Sequence, residues 1–160
     1  MKVAIGSDHG GVALKAEIIA YLEANGYEYE DFGTNDTKSV DYPTYGLAVA
    51  EAIKDGKADR GILVCGTGIG IGISANKVPG IRCAMVSDAY SAQMTREHND
   101  ANMISLGGRT LGGGLAVTIV EKFLTTEFSG DARHQRRIDM ITDIEKKYNK
   151  KIHTKVEEML

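Results

Sequence analysis

Cysteine is scarce in this chain: Cys65 and Cys83 are the only two in 160 residues, and they show neither a CxxC spacing nor a zinc-ligand pattern. A disulfide framework and a cysteine-based structural metal site are therefore excluded, and a reducing cytoplasm is the expected compartment. Long apolar runs are missing too, since none approaches the about 18 residues of a membrane span. Near the N-terminus Val3-Ala4-Ile5 gives way at once to Gly6-Ser7-Asp8, so a soluble, unexported protein is expected. Positive charge is not in excess. A net charge of −3 argues against general nucleic-acid binding, although Arg133-His134-Gln135-Arg136-Arg137 gathers basic residues locally and suits a small anion. There is no internal repeat or low-complexity tract, and the only long irregular connection runs from Gly33 to Tyr42, with Pro43 able to start the helix after it.

What is present is a chain that is 42% hydrophobic and 26% charged, enough apolar material for one full core. Short apolar runs alternate with segments of helical period, the pattern of a parallel sheet wrapped by helices. Strands are predicted over 2–7, 27–32, 60–65, 81–86 and 102–106. Leu14, Ile18 and Leu22 mark the buried stripe of one helix, Tyr45, Val49 and Ile53 that of a second, and Leu115, Ile119 and Phe123 that of a third. Asp88 is a plausible N-cap for a further helix running to about Glu97. The fold class is α/β: a doubly wound, Rossmann-like, five-stranded parallel sheet in three αβα layers, with a C-terminal helix. Ile138, Ile141, Ile144 and Tyr148 continue at helical spacing, and Ile152, Val156 and Met159 extend that face toward a subunit contact. Cys83 reads as core within the fourth strand, and His153 as solvated.

Ligands in such sheets bind outside the carboxyl ends of the strands. There the first strand delivers Ser7-Asp8-His9-Gly10-Gly11, the third Cys65-Gly66-Thr67-Gly68 and the fifth Gly107-Gly108-Arg109. Cys65 ends the run Gly61-Ile62-Leu63-Val64-Cys65 and opens a glycine-rich stretch to Gly72, ahead of the helix-compatible Ile73-Ser74-Ala75-Asn76-Lys77. Backbone N–H groups at a helix start favour negative charge, so they can hold an anionic substrate and favour a thiolate. The alternative for a lone cysteine is a small buried hydrophobe. His9 can share an anion with its turn, or be a solvated loop histidine. His98 ends a predicted helix, whose dipole favours the protonated form of a general acid; the alternative is a capping role. Arg109 and the i, i+4 pair Arg133 and Arg137 suit phosphate oxygens, as an ordinary charged helix end also would.

Familiar phosphate motifs fail. Neither glycine run leads into the Gly-Lys of a GxxxxGK[ST] loop, and a cysteine phosphatase loop needs an arginine where this chain has Ile71. The dinucleotide fingerprint finds only Gly70-Ile71-Gly72-Ile73-Ser74-Ala75, displaced from its strand, with Asp88 beyond it.

Taken together, Gly6-Ser7-Asp8-His9-Gly10-Gly11, Asp41-Tyr42-Pro43, Cys65-Gly66-Thr67-Gly68-Ile69-Gly70, Ser91-Ala92-Gln93, Glu97-His98-Asn99-Asp100 with Asn102, Gly107-Gly108-Arg109 and Arg133-His134-Gln135-Arg136-Arg137 resemble the type B ribose-5-phosphate isomerases, a family that includes galactose-6-phosphate isomerase subunits. The resemblance covers residues 1–148 as one isomerase domain and leaves 149–160 as a C-terminal helical extension. Position 72 is glycine where some members carry serine, a difference expected to alter loop stiffness. The resemblance implies interconversion of ribose 5-phosphate and ribulose 5-phosphate through an enediolate, with no metal and no organic cofactor. It implies Cys65 as base, Gly66 to Gly70 with Thr67 as oxyanion hole, and His98 as the acid that opens the ring. Asp8, Asn99 and His134 are to hold hydroxyls, Tyr42 to line the pocket, and His9, Arg109, Arg133 and Arg137 to clamp the phosphate. Members are homodimers with shared sites, often paired into tetramers, so that His98, Asn99 and Arg109 are expected to reach a site built mainly by the other chain. Other readings are an isomerase of a six-carbon phosphate such as allose or galactose 6-phosphate, a non-catalytic sugar-phosphate-binding module, and a dinucleotide oxidoreductase.

Overall fold

The computed structural model describes the backbone of residues 1–157 and the side chains of residues 1–149. Strands and helices alternate up to α5, and a second helix follows it: β1 (Lys2–Ser7), α1 (Val12–Ala24), β2 (Glu28–Asp31), α2 (Tyr42–Lys54), β3 (Arg60–Cys65), α3 (Ile69–Ala75), β4 (Cys83–Met85), α4 (Ala89–Asn99), β5 (Met103–Gly107), α5 (Gly113–Thr125) and α6 (Ala132–Glu157). All strand pairs are parallel, in the order β2-β1-β3-β5-β4. The chain thus winds outward from β1 to β2, then returns to build β3 on the other side. That reversal leaves a crevice beyond the ends of β1 and β3.

Alternation along the strands produces the three layers. Val3 and Ile5 of β1 with Ile62 and Val64 of β3 face a core shared with Ile18 and Leu22 of α1 and Ile119 and Phe123 of α5. Ala4, Leu63 and Cys65 face the other way, onto Val49 of α2 and Ile71 of α3. The Cys65 side chain therefore enters the α2–α3 layer at the last residue of its strand.

Several boundaries differ from the expectation. α3 begins at Ile69, inside the glycine run, rather than near Ile73. The reason is tertiary: a Cβ on Gly70 would lie 2.7 Å from the Tyr42 ring, and one on Gly72 would meet the Ser105 hydroxyl, so the helix packs closely only because side chains are missing there. Position 72 is thus a packing position on β5, not a stiffness element of a loop. β4 is shorter than 81–86: Arg82 N–H donates to the Asn102 side chain, and only its carbonyl, accepting the Met103 N–H at 3.3 Å, still joins β5. Cys83 is half-buried, packed against the margin of the α2–α3 core rather than within it, and desolvation by its surroundings pushes the thiol up to about 12.

Of the stripe on α6, Ile138 is buried while Ile141 and Ile144 stand open, flanking a groove of about 660 Å³ beside edge strand β4. The side chains of Ile152, His153 and Val156, and all of Met159, lie outside the described residues. Among the described residues no helix is long and apolar enough to cross a membrane.

Candidate active site

Three glycine turns gather the ends of β1, β5 and β3. A Cβ on Gly108 would lie 2.6 Å from the Gly10 carbonyl, and one on Gly10 would lie 3.1 Å from Gly66 N, so the turns touch backbone to backbone. Gly68 adds a conformational demand: its φ is 78°, and a side chain there would press on Leu106 backbone at 2.8 Å. Its N–H donates to Cys65 Sγ at 3.1 Å. Gly68→Ala is expected to destabilise the fold by about 1–3 kcal/mol. Gly114→Ala, in α5 with open space around it, should be neutral or stabilise by up to about 1 kcal/mol. Denaturant titration of both variants checks the contrast in sign.

Around the thiol, Asp8 is buried and its carboxylate accepts Gly10 N–H at 2.8 Å, which closes the first turn. His9 Nδ1 accepts the Val40 N–H at 3.2 Å, so the ring is the neutral Nε2–H tautomer with its donor turned away from that bond. The Tyr42 ring lies over Gly70. Arg109 lies over Gly66, its Nη1 3.5 Å from where a Cβ would be. Thr67 Oγ1 accepts Ile69 N–H at the start of α3. Asp8, His9, Tyr42, Cys65 to Gly70 and Arg109 thus form one cluster within one chain.

His98, Asn99, Arg133, His134 and Arg137 form a second cluster. α4 runs back against the strands, begins with Asp88 Oδ1 accepting Ser91 N–H at 2.7 Å, and ends in Asp100 with φ 43°. His98 and Asn99 consequently sit before β5, not beyond it. α6 starts beside them, with Asp131 accepting Arg133 N–H at 3.0 Å. The His98 and His134 rings meet at 4.3 Å between centroids. Burial, then the nearby His98 and Arg133, lower the pKa of His134 from the ordinary histidine value. β5 alone spans about 13 Å between the levels of the two clusters. Within one chain His98 therefore lies at the far end of the sheet from Cys65. Arg109 departs from the expectation in the opposite sense: it joins the Cys65 cluster of its own chain.

The family model for ribose/galactose isomerases matches residues 3–141. This chain belongs to the ribose/galactose isomerase family. Ribose-5-phosphate isomerase B of Escherichia coli is 47% identical over 148 residues, covering 92% of this chain and 99% of that protein. The structure of the Clostridium thermocellum ribose-5-phosphate isomerase B matches with a TM-score of 0.90 at 57% identity, over 92% of this chain and 99% of the other. A galactose-6-phosphate isomerase subunit of Clostridium acetobutylicum is 40% identical over 90% of this chain and 83% of its own length.

In this family member some residues that shape the site carried no motif. Lys15 is buried in α1, its ammonium donating to Asp31 at 2.7 Å and to the Thr34 carbonyl and Asn35 Oδ1 at 2.9 Å. All three donors are used, which fixes the start of the 33–41 loop that Val40 ties to His9. Removing one partner of such a buried pair typically costs about 3–5 kcal/mol. Arg96, also buried, ties the α4 end to Ala101 O at 2.6 Å and to Thr126 O at 3.3 Å, joining the segments that carry His98 and His134. A helical wheel would have found Lys15, which shares a face with Ile18 and Leu22. Among the described residues, no group of three or more His, Cys, Asp or Glu is placed to hold a metal ion.

Proposed function

We propose that this protein is a cytoplasmic aldose–ketose isomerase of the non-oxidative pentose phosphate pathway that interconverts ribose 5-phosphate and ribulose 5-phosphate. It works as a homodimer with shared sites. The observation that carries the chemistry is the thiol at the β1–β3 crevice, with Gly68 N–H aimed at its sulfur. A thiolate held there takes the proton from C2 and returns it to C1 through a cis-enediolate. The Gly68 N–H stays with the sulfur, while the N–H groups of Gly66, Thr67 and Gly70 and the Thr67 hydroxyl face the oxygen on which charge develops. No metal or organic cofactor is required for this transfer.

The separation of the two clusters supports the sharing of sites, since the acid and the base cannot meet within one subunit. His98 of the partner subunit protonates the ring oxygen and opens the sugar. Asp8 holds a hydroxyl from the thiol side, Asn99 and His134 from the other, and Tyr42 lines the pocket. Arg109, His9, Arg133 and Arg137 hold the phosphate, with His9 acting as a neutral donor. Remote binding of the phosphate places C1 and C2 at the sulfur. The open Ile141 and Ile144 of α6 offer apolar surface for the subunit contact.

Purified protein in deuterated solvent should exchange the C2 proton of ribose 5-phosphate and form ketose. Its kcat/KM for ribose 5-phosphate should exceed that for allose or galactose 6-phosphate. The similarity to a galactose-6-phosphate isomerase subunit favours the six-carbon alternative, and a reversed order of kcat/KM would establish it. Binding of these sugars without exchange would leave a non-catalytic module.

A further inference from the structure

The pairing of His98 and His134 raises the question of which nitrogen of His134 carries its proton. Ser129 stands at the answer. Its Oγ lies 2.8 Å from His134 Nδ1, its own N–H donates to the Glu97 carbonyl at 3.1 Å, and its Oγ accepts the Asp131 N–H at 3.2 Å. Its backbone thus ties to the residue before His98, while its hydroxyl connects the start of α6 with the buried ring. A hydroxyl has one proton to give. With Asp131 N–H on its oxygen, Ser129 is polarised as a donor, and the nitrogen in reach is His134 Nδ1.

The charges around the ring come from every element packed on it: His98 from α4, Asp131 from the preceding turn, and Arg133 and Arg137 from α6. Three of these four are cationic or can become so, and together with burial they disfavour the imidazolium. A neutral ring has a single acceptor nitrogen, and a hydroxyl that donates to Nδ1 selects it.

We propose that Ser129 is a positioning residue that fixes His134 as the neutral Nε2–H tautomer, its ring tilted against that of His98 and presenting Nε2–H to the substrate. His134 then donates a hydrogen bond without competing for the proton that His98 delivers. The kinetic part of this inference rests on the isomerase reading above; the tautomer does not.

Protein labelled with ¹⁵N at histidine tests both parts. In the ligand-free wild type at neutral pH, the His134 ring should show the Nε2–H pattern; an Nδ1–H or imidazolium pattern overturns the proposal. Ser129→Ala should convert the ring to a tautomer mixture and lower kcat/KM on the turned-over sugar phosphate about ten-fold, the value of one lost hydrogen bond. Ser129→Thr, which keeps the hydroxyl, should restore both. A Ser129→Ala protein with wild-type tautomer and kcat/KM shows that Ser129 does not position the ring. If no sugar phosphate is turned over while the wild-type and variant spectra behave as stated, the isomerase reading fails and the control of His134 by Ser129 stands.

Discussion

Cys65→Ala and His98→Ala subunits, each close to inactive by itself, should recover about a quarter of wild-type turnover when dissociated together and allowed to reassociate. The expectation follows from the two clusters at opposite ends of the sheet. In an isologous dimer each site takes Cys65 from one chain and His98 from the other. A mixed dimer concentrates both defects in one site and leaves the second intact. Random reassociation makes half of the dimers mixed, and each of those has one working site of two. Turnover measured against the mixing ratio, with reassembly followed by size, distinguishes the cases. A mixture that reassembles and stays inactive would place acid and base within a single chain, and the connection between α4 and β5 would then have to rearrange.

The Cys65→Ala protein alone should lose turnover by on the order of 10³–10⁴-fold while its affinity for inorganic phosphate is unchanged. The thiol lies at the sheet end, where its partner is a backbone N–H, whereas Arg109 is held over Gly66 by the chain itself. Removing the sulfur leaves the phosphate groups in place and removes the group that takes the proton. Calorimetric titration with phosphate and solvent deuterium uptake at C2 separate the two effects. Uptake that persists at the wild-type rate would assign the base to another residue. Loss of both uptake and phosphate binding would show that the substitution disturbs the pocket, and Cys65→Ser then provides the milder comparison.

The sheet was legible because its residues alternate: Val3 and Ile5 against Ala4, and Ile62 and Val64 against Leu63, repeat with the period of a strand and sort themselves to two faces. The start of α3 was not. Gly70 and Gly72 have poor helix propensity, and what requires glycine at both is the close approach of the Tyr42 ring and Ser105, contacts that no local pattern contains. The α6 stripe has the period of a helix, but period alone does not say whether a face is buried by its own chain or left open, and among the described residues of that stripe only Ile138 is buried. For the site, residue types and order singled out Cys65, His98 and Arg109. Which of them share a cluster depends on the direction of α4 relative to β5, and therefore on topology. Ser129 was invisible for a related reason: its importance lies in being within reach of His134, not in its spacing from any motif.

The contact of Gly72 with Ser105 has a consequence over evolutionary time. The two positions compete for one volume between a helix and a strand. A lineage that acquires serine at 72 must turn the hydroxyl at 105 away or shrink that side chain to alanine or glycine, so the two sites are expected to covary. Substitution at 72 alone should be tolerated rarely, and its acceptance should depend on what an ancestor already carried on the neighbouring strand.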